Sequence, residues 1–271
     1  MTATDGETLL KALIATAARA GALIMRHYEE PAGIRHKEDE SPVTLDDEEA
    51  EALILADLAR LAPAIPVVSE EAAAAGHFPS IGQRFFLVDP LDGTKEFINK
   101  NGEFTVNIAL IDRAVPVMGV VYAPALSRMF FGAGGGTARE ASCDPHAKDA
   151  AGTPPCTGQK PIAARLPDAE GLVAVASRSH RDAKTDEYLA KYKIKDFRSA
   201  GSSLKFCIVA AGEADLYPRL GTTMEWDTAA GHAVLNAAGG SVTKLDGSPF
   251  LYGKVADRFK NDHFVARGRK A

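Results

Sequence analysis

The sequence predicts a mixed α/β protein in which an α+β portion, residues 1–160, adjoins an α/β portion, residues 161–271, the two forming one unit. Three observations predict it. Two stretches near the start carry apolar residues at helical spacing, five short apolar runs follow one another, and strand and helix patterns alternate after about residue 161. At 271 residues the chain is long enough to bury a sizeable core.

From Glu7 to Tyr28 the residues Leu10, Leu13, Ile14, Ala17, Gly21, Ile24 and Met25 recur at steps of three and four, one face of a long helix. A second helix follows "SPVT": Leu53, Ile54, Leu58 and Leu61 keep the period, Thr44 can cap its start, and Pro63 stops it. The runs "IPVVSE", "RFFLVDP", "TVNIALI", "VMGVVYAP" and "MFFGA" read as strands of an antiparallel sheet. From about Gly132 to Pro161 the chain is rich in Gly, Pro and Ala without periodicity, so a loop or hairpin excursion is expected there. "GAGGG" fits no phosphate-loop spacing and reads as a turn. Beyond it come the strand "LVAVAS", a helix around Asp186 to Lys193, the segments "SSLKFCIVAAG" and "ADLYPR", and a helix through "WDTAAGHAVLNAAGG" that Gly239 and Gly240 end.

Composition removes several functional classes. With 46% hydrophobic and 25% charged residues the chain is neither disordered nor fibrous. A formal charge of -5 argues against a nucleic-acid surface, which draws its affinity from clustered Lys and Arg. No basic segment followed by an apolar run opens the chain, and no apolar run approaches the roughly 20 residues of a membrane span, so no integral membrane segment and a cytoplasmic location are expected. Cys143, Cys156 and Cys207 are odd in number and widely spaced, which disfavours a disulfide framework and a zinc site, and Cys207 reads as a buried small apolar residue.

The chemistry concentrates in "LVDPLDGTKEF". A buried-strand pattern ends at Asp89, Pro90 fixes one φ angle, and Gly93 permits close backbone approach before a helical segment. Asp89 and Asp92 can therefore converge. Neighbouring carboxylates tolerate each other by sharing a proton or binding cations, and the alternative is two separate caps on a solvated turn. Glu70 and Glu71 follow the strand "IPVVS", and Asp227 stands between Trp226 and a helix start; each alone reads equally as surface charge or as an ordinary cap.

Together, "VVSEE", "LVDPLDGTKEFINKNGEFTVNIALI" and "WDTAAGHAVL" resemble the three signature blocks of the inositol monophosphatase superfamily of magnesium-dependent phosphatases. "KEDESPVT", "SRSH", "GSSLKF" and "LYPRLG" are similar to its 3'(2'),5'-bisphosphate nucleotidase branch, and the likeness covers nearly the whole chain apart from roughly Arg139 to Pro167. The resemblance implies a layered α/β/α/β/α sandwich. It also implies that Glu70, Asp89, Asp92, Asp227 and the carbonyl of Leu91 ligate two or three Mg2+ ions. Asp47, in the tetrad Thr44-x-x-Asp47, would orient the Thr94 hydroxyl, which with Glu70 positions the attacking water; the tetrad alone is also a helix-capping pair. Gly93 and Thr94 N–H groups would cradle the phosphate, and His180, Ser202, Lys205 and Arg219 would contact the nucleotide and its other phosphate. His180 without the resemblance is an ordinary surface histidine, and His232 reads as structural.

Magnitudes favour metals over side chains alone. Phosphate-monoester hydrolysis calls for accelerations approaching ~10²¹-fold, whereas one general acid or base supplies about 10²–10⁴. The expected activity is hydrolysis of adenosine 3',5'-bisphosphate, with 3'-phosphoadenylyl sulfate as a further substrate and sensitivity to lithium. Inositol monophosphate or fructose 1,6-bisphosphate are the alternative substrates, and a non-catalytic partner-binding role is the alternative class. The family leaves peripheral contact with the inner membrane open. Glu225, two residues before Asp227, reads either as surface charge or as added acidity near the site.

Overall fold

Alternation of side chains along the central strands decides the layering. The computed structural model describes residues 3–29, 34–36, 42–177 and 183–270. In chain order the elements are α1 (Ala3–Glu29), β1 (Ile34–His36), β2 (Pro42–Thr44), α2 (Leu45–Leu61), β3 (Val67–Ser69), α3 (Glu70–Ala74), β4 (Arg84–Asp92), α4 (Thr94–Ile98), β5 (Thr105–Asp112), β6 (Val115–Ala123) and β7 (Arg128–Gly132). They continue with β8 (Arg139–Cys143), β9 (Cys156–Pro161), β10 (Leu172–Ser177), α5 (Ala183–Leu189), β11 (Ile194–Ala200), α6 (Leu204–Ala210), β12 (Leu216–Arg219), α7 (Glu225–Ala237), β13 (Ser241–Lys244) and β14 (Phe264–Arg267).

A seven-stranded sheet runs in the order β3-β4-β5-β6-β7-β8-β9 and a five-stranded sheet in the order β11-β10-β12-β14-β13. Residues of even number on β4 and β5, Phe86, Val88, Val106, Ile108 and Leu110, join Val120, Tyr122, Met129 and Phe131 in a core with α1 and α2. Their odd-numbered neighbours Phe85, Leu87, Ala109 and Ile111, with Val121 and Phe130, join a second core with α6, α7 and one face of the five-stranded sheet, Val173, Val175, Tyr217, Phe264 and Ala266. On that sheet's other face Ala174, Leu216 and Val265 meet Tyr188 and Leu189 of α5. Helices, sheet, helices, sheet, helix: the five-layer α/β/α/β/α arrangement follows from two sheets with both faces covered.

Several expectations need correction. The first sheet is antiparallel except at its edge, where β3 pairs parallel with β4 because α3 carries the chain back between them. Of the loop or hairpin expected after Gly132 the chain forms the hairpin, β8 with β9, which extends the seven-stranded sheet. Cys143 and Cys156 pair across that hairpin as a disulfide, so spacing misjudged them: the register makes them direct partners with Cα atoms 4.3 Å apart. Cys207 is buried and free as expected. The helix expected at Asp186 to Lys193 starts earlier and ends at Leu189, and "IKDFRSA" forms the unforeseen strand β11. The segment Asp5–Glu29 is long and apolar enough by length and composition to cross a membrane, contrary to expectation. In this fold its apolar stripe, Leu13, Ala17, Ala20 and Ile24, is wholly buried against α2, β5 and β6.

The central helix α7 lies so close to β6 that a Cβ on Gly119 would stand 2.4 Å from the Ala230 carbonyl oxygen. A backbone oxygen in a packed helix cannot give way. Gly119→Ala therefore destabilises the fold by about 1–3 kcal/mol, read as a lower urea midpoint with an unchanged slope.

Candidate active site

Two aspartates three residues apart on a regular strand would face opposite sides of the sheet. The register of β4 on β5 pairs Asp89 with Asn107 and Asp92 with Thr105, so three steps on β4 oppose two on β5. That extra residue is a bulge, and it resets the alternation so that Asp89 and Asp92 line the same cavity. The Leu91 N–H donates to Asp89 Oδ1 at 3.1 Å and holds the bulge from inside. Gly93 then turns the chain with φ at 95°, and a Cβ there would meet Ser202 Oγ at 2.1 Å, so this turn requires glycine. Thr94 begins α4 directly after it.

Glu70 is brought in by the neighbouring strand. It is the first residue of α3 at the end of β3, and the start of α3 is fixed by Glu51 of α2, whose carboxylate accepts from the Glu71 and Ala72 N–H groups, both at 2.9 Å. From the other side of the cavity, the segment before α6 grips both aspartate-bearing elements. Ser203 N–H donates to Asp92 Oδ2 at 2.6 Å and its hydroxyl donates to the Asp227 carbonyl, while the Ser202 hydroxyl lies 2.7 Å from the Asp92 carbonyl and 2.8 Å from that of Glu103. Asp227, in the first turn of α7, accepts the Met224 N–H on Oδ2 at 2.8 Å, closing the helix start.

The result is a cavity of about 450 Å³ lined by Glu70, Asp89, Leu91, Asp92, Gly93, Thr94, Ser202, Lys205, Arg219 and Asp227. Burial raises the Asp89 carboxyl well above its ordinary range, and the charges of Glu70, Asp92, Asp227 and Asp47 push it further. Asp92 is pushed up to about 6 by burial, held back by Lys205 and the Ser203 N–H. Asp227 rises by burial and by repulsion from Asp92 and Glu70. Lys205 is almost fully buried, donates to the Ser202 carbonyl at 2.6 Å and sits 5.4 Å from the Tyr217 ring centre; burial brings its pKa down to about 8, opposed by Asp92. Arg219 donates to the Thr222 carbonyl at 3.1 Å, while its buried Nε lacks a hydrogen-bond partner.

These are oxygen donors that repel one another as carboxylates, the composition a hard divalent cation suits. Among the described residues no three acidic, His or Cys side chains are already drawn onto one point; the carboxylates surround a shared space instead.

Of the residues named from sequence, Glu70, Asp89, Leu91, Asp92, Gly93, Thr94, Ser202, Lys205, Arg219 and Asp227 all reach this cavity. Asp47 is buried on α2, outside the lining, and acts on Asp89 through its charge. His180 lies outside the described residues. His232 is structural, its Nδ1 3.0 Å from the Tyr252 hydroxyl, and burial brings its pKa down to about 3. Glu225 is neither surface charge nor a lining residue: it is fully buried and paired with Lys254 at 2.9 Å. Sequence reasoning missed Ser203, whose neighbour Ser202 in "GSSLKF" carried the only signal, and missed Glu51, which looked like any helix carboxylate.

A carboxylate whose folded pKa lies above its unfolded value costs nothing below the unfolded value, and its cost grows as pH rises from there through the folded value. Asp89→Asn keeps the Oδ1 acceptor for the Leu91 N–H but removes the charge. In a chelator at pH 8 the variant melts above the parent chain, and the gap closes toward pH 4, as thermal unfolding across that range checks.

The sequence profile of the inositol monophosphatase family matches residues 5–263. A Salmonella typhimurium protein called 3'(2'),5'-bisphosphate nucleotidase CysQ is 46% identical over 246 residues, covering 90% of this chain and 94% of the relative. The protein of the same name from Shigella flexneri is 48% identical over 238 residues, covering 87% and 90%. The crystal structure of CysQ from Bacteroides thetaiotaomicron, described as a bacterial member of the inositol monophosphatase family, superposes with a TM-score of 0.78 at 37% identity, covering 97% of this chain and 98% of that one. With the profile spanning almost the whole sequence and relatives this similar along most of their length, the chain belongs to the inositol monophosphatase family.

Proposed function

We propose that the chain is a 3'(2'),5'-bisphosphate nucleotidase that uses Mg2+ to hydrolyse adenosine 3',5'-bisphosphate to AMP and phosphate, with 3'-phosphoadenylyl sulfate as a further substrate. The observation that carries the reading is one cavity in which Glu70, Asp89, Asp92 and Asp227 face Lys205 and Arg219. The relatives named as bisphosphate nucleotidases support the choice of substrate class. A soluble nucleotide substrate goes with a cytoplasmic location.

Glu70, Asp89, Asp92, Asp227 and the Leu91 carbonyl would hold two or three Mg2+ ions. Bound there, such ions would supply a lowered water pKa and a counter-charge for the phosphoryl oxygens and the leaving alkoxide. Thr94, oriented by Asp47, and Glu70 set the direction from which water attacks. Backbone N–H groups of Gly93 and Thr94 receive the reacting phosphate. The non-reacting phosphate goes to Lys205 and Arg219, a point charge and a fork whose buried Nε still lacks an acceptor. His180 and Ser202 complete the nucleotide contacts. The Ser202 hydroxyl already faces the Asp92 and Glu103 carbonyls, so its oxygen lone pairs are what it offers a ligand.

Phosphate release measured with Mg2+ across adenosine 3',5'-bisphosphate, 3'-phosphoadenylyl sulfate, inositol 1-phosphate and fructose 1,6-bisphosphate tests the reading. The adenosine bisphosphate is preferred, and a preference for inositol or sugar phosphates overturns the assignment. Asp89→Asn removes turnover with the fold retained; undiminished turnover would show that the carboxylate is not part of the machinery. Lys205→Met raises KM for the bisphosphate about tenfold or more, the scale of one charge-assisted contact, and leaves KM for a monophosphate nearly unchanged. Millimolar lithium at limiting Mg2+ inhibits turnover.

A further inference from the structure

The fully buried Glu225 takes no part in the chemistry described above, yet its carboxylate has a complete set of donors. Oε2 accepts the Gly253 N–H at 2.8 Å, and Oε1 accepts the Lys254 N–H and the Lys254 ammonium, both at 2.9 Å. The same ammonium donates to the Leu251 carbonyl and to Asn261 Oδ1. Asn261 Nδ2 in turn donates to the Met224 carbonyl at 2.6 Å and reaches the Thr223 and Thr228 hydroxyls at 3.2 and 3.1 Å. The Glu225 N–H itself donates to the Phe259 carbonyl at 2.8 Å. The segment from Leu251 to Asn261 is thereby stitched to the first turn of α7; that turn supplies Asp227 and Thr228 to the cavity wall, and Thr223 just before it joins them.

We propose that Glu225 is a positioning residue: through Lys254 and Asn261 it fixes the start of α7, and so fixes where Asp227 presents its carboxylate to divalent cations. The inference rests on the metal-dependent reading of the site. Asp227 has one oxygen committed to the Met224 N–H, and Met224 is held by Asn261 through its carbonyl. If Met224 shifts, the free oxygen of Asp227 shifts with it. No side chain other than an anion satisfies the three donors that meet at residue 225. A glutamine would turn its own N–H groups toward the Gly253 or Lys254 donors and leave the ammonium, only 18% exposed, without a counter-charge.

The test is calorimetric titration of Mg2+ into the metal-free chain, beside thermal unfolding and steady-state kinetics, for the parent, Glu225→Gln and Glu225→Gln/Lys254→Met. Loss of a supporting partner behind a ligand weakens metal affinity by about 10–100-fold. Both variants are expected to bind Mg2+ at least tenfold more weakly, with the Mg2+ concentration for half-maximal turnover raised in step and KM for the bisphosphate at saturating Mg2+ little changed. The double variant, freed of the stranded ammonium, melts closer to the parent than the single one, so a drop in metal affinity there separates positioning from simple loss of fold. Parent-like Mg2+ affinity in either folded variant overturns the proposal. A parent chain that itself binds no Mg2+ overturns the metal-dependent reading instead, and the two failures are thus distinct.

Discussion

Repulsion among buried carboxylates is the constraint on which the rest of the structure depends. Asp89 is buried and Asp227 is half-buried, and both stand near enough to Asp92 and Glu70 that desolvation and mutual charge oppose their ionisation. Carboxylates so placed are tolerable either protonated or around a cation. Two sheets, the bulge on β4, the glycine at 93 and the serine pair before α6 all serve to hold the acids in this arrangement against their own repulsion. The protein contributes what the chain-wide charge of -5 would deny a phosphorylated ligand: a place where positive charge can be concentrated.

The arrangement divides labour between the two sheets. Glu70, Asp89, Asp92 and Thr94 come from the edge of the seven-stranded sheet, whereas Ser202 comes from the segment before α6 and Lys205, Arg219 and Asp227 from α6, β12 and α7. Ser203 joins the sets, gripping Asp92 with its N–H and the backbone of Asp227 with its hydroxyl. Under the proposed function the metal ligands come from both sets, whereas the substrate contacts Ser202, Lys205 and Arg219 come from the second alone. Lys205 and Arg219 line the same cavity as the acids, and the Lys205 charge opposes the rise at Asp92. Since α7 is packed on both sides, against β6 at Gly119 and against Phe206 of α6 at Gly231, small shifts at its start have little room to dissipate.

How much of this was legible in the sequence depends on the range of the interaction concerned. Helices α1, α2 and α7 and strands β4 to β7 were readable because their apolar spacing is local and long. The acids of "LVDPLDGT" and "WDTAAG" were readable as a set only through the resemblance, since each alone is an unremarkable cap. What could not be read is whatever depends on register or on a distant partner. The Cys143–Cys156 pairing needs the β8–β9 alignment, which a Gly- and Pro-rich stretch does not announce. The bulge that turns Asp89 and Asp92 to one side exists only in the pairing with β5. Strand β11 carries little apolar alternation, and β13 and β14 are only four residues each. Glu225 looked ambiguous because its counter-charge, Lys254, lies 29 residues on.

The central claim is that the acidic cavity is completed by divalent cations. Anomalous scattering from a crystal soaked in Mn2+, a Mg2+ surrogate with a usable signal, tests it most directly. The account predicts peaks within coordinating distance, roughly 2.0–2.3 Å, of the oxygens of Asp89, Asp92, Asp227 and Glu70. A map with no peak among these residues, from crystals in which the enzyme still releases phosphate, would contradict it.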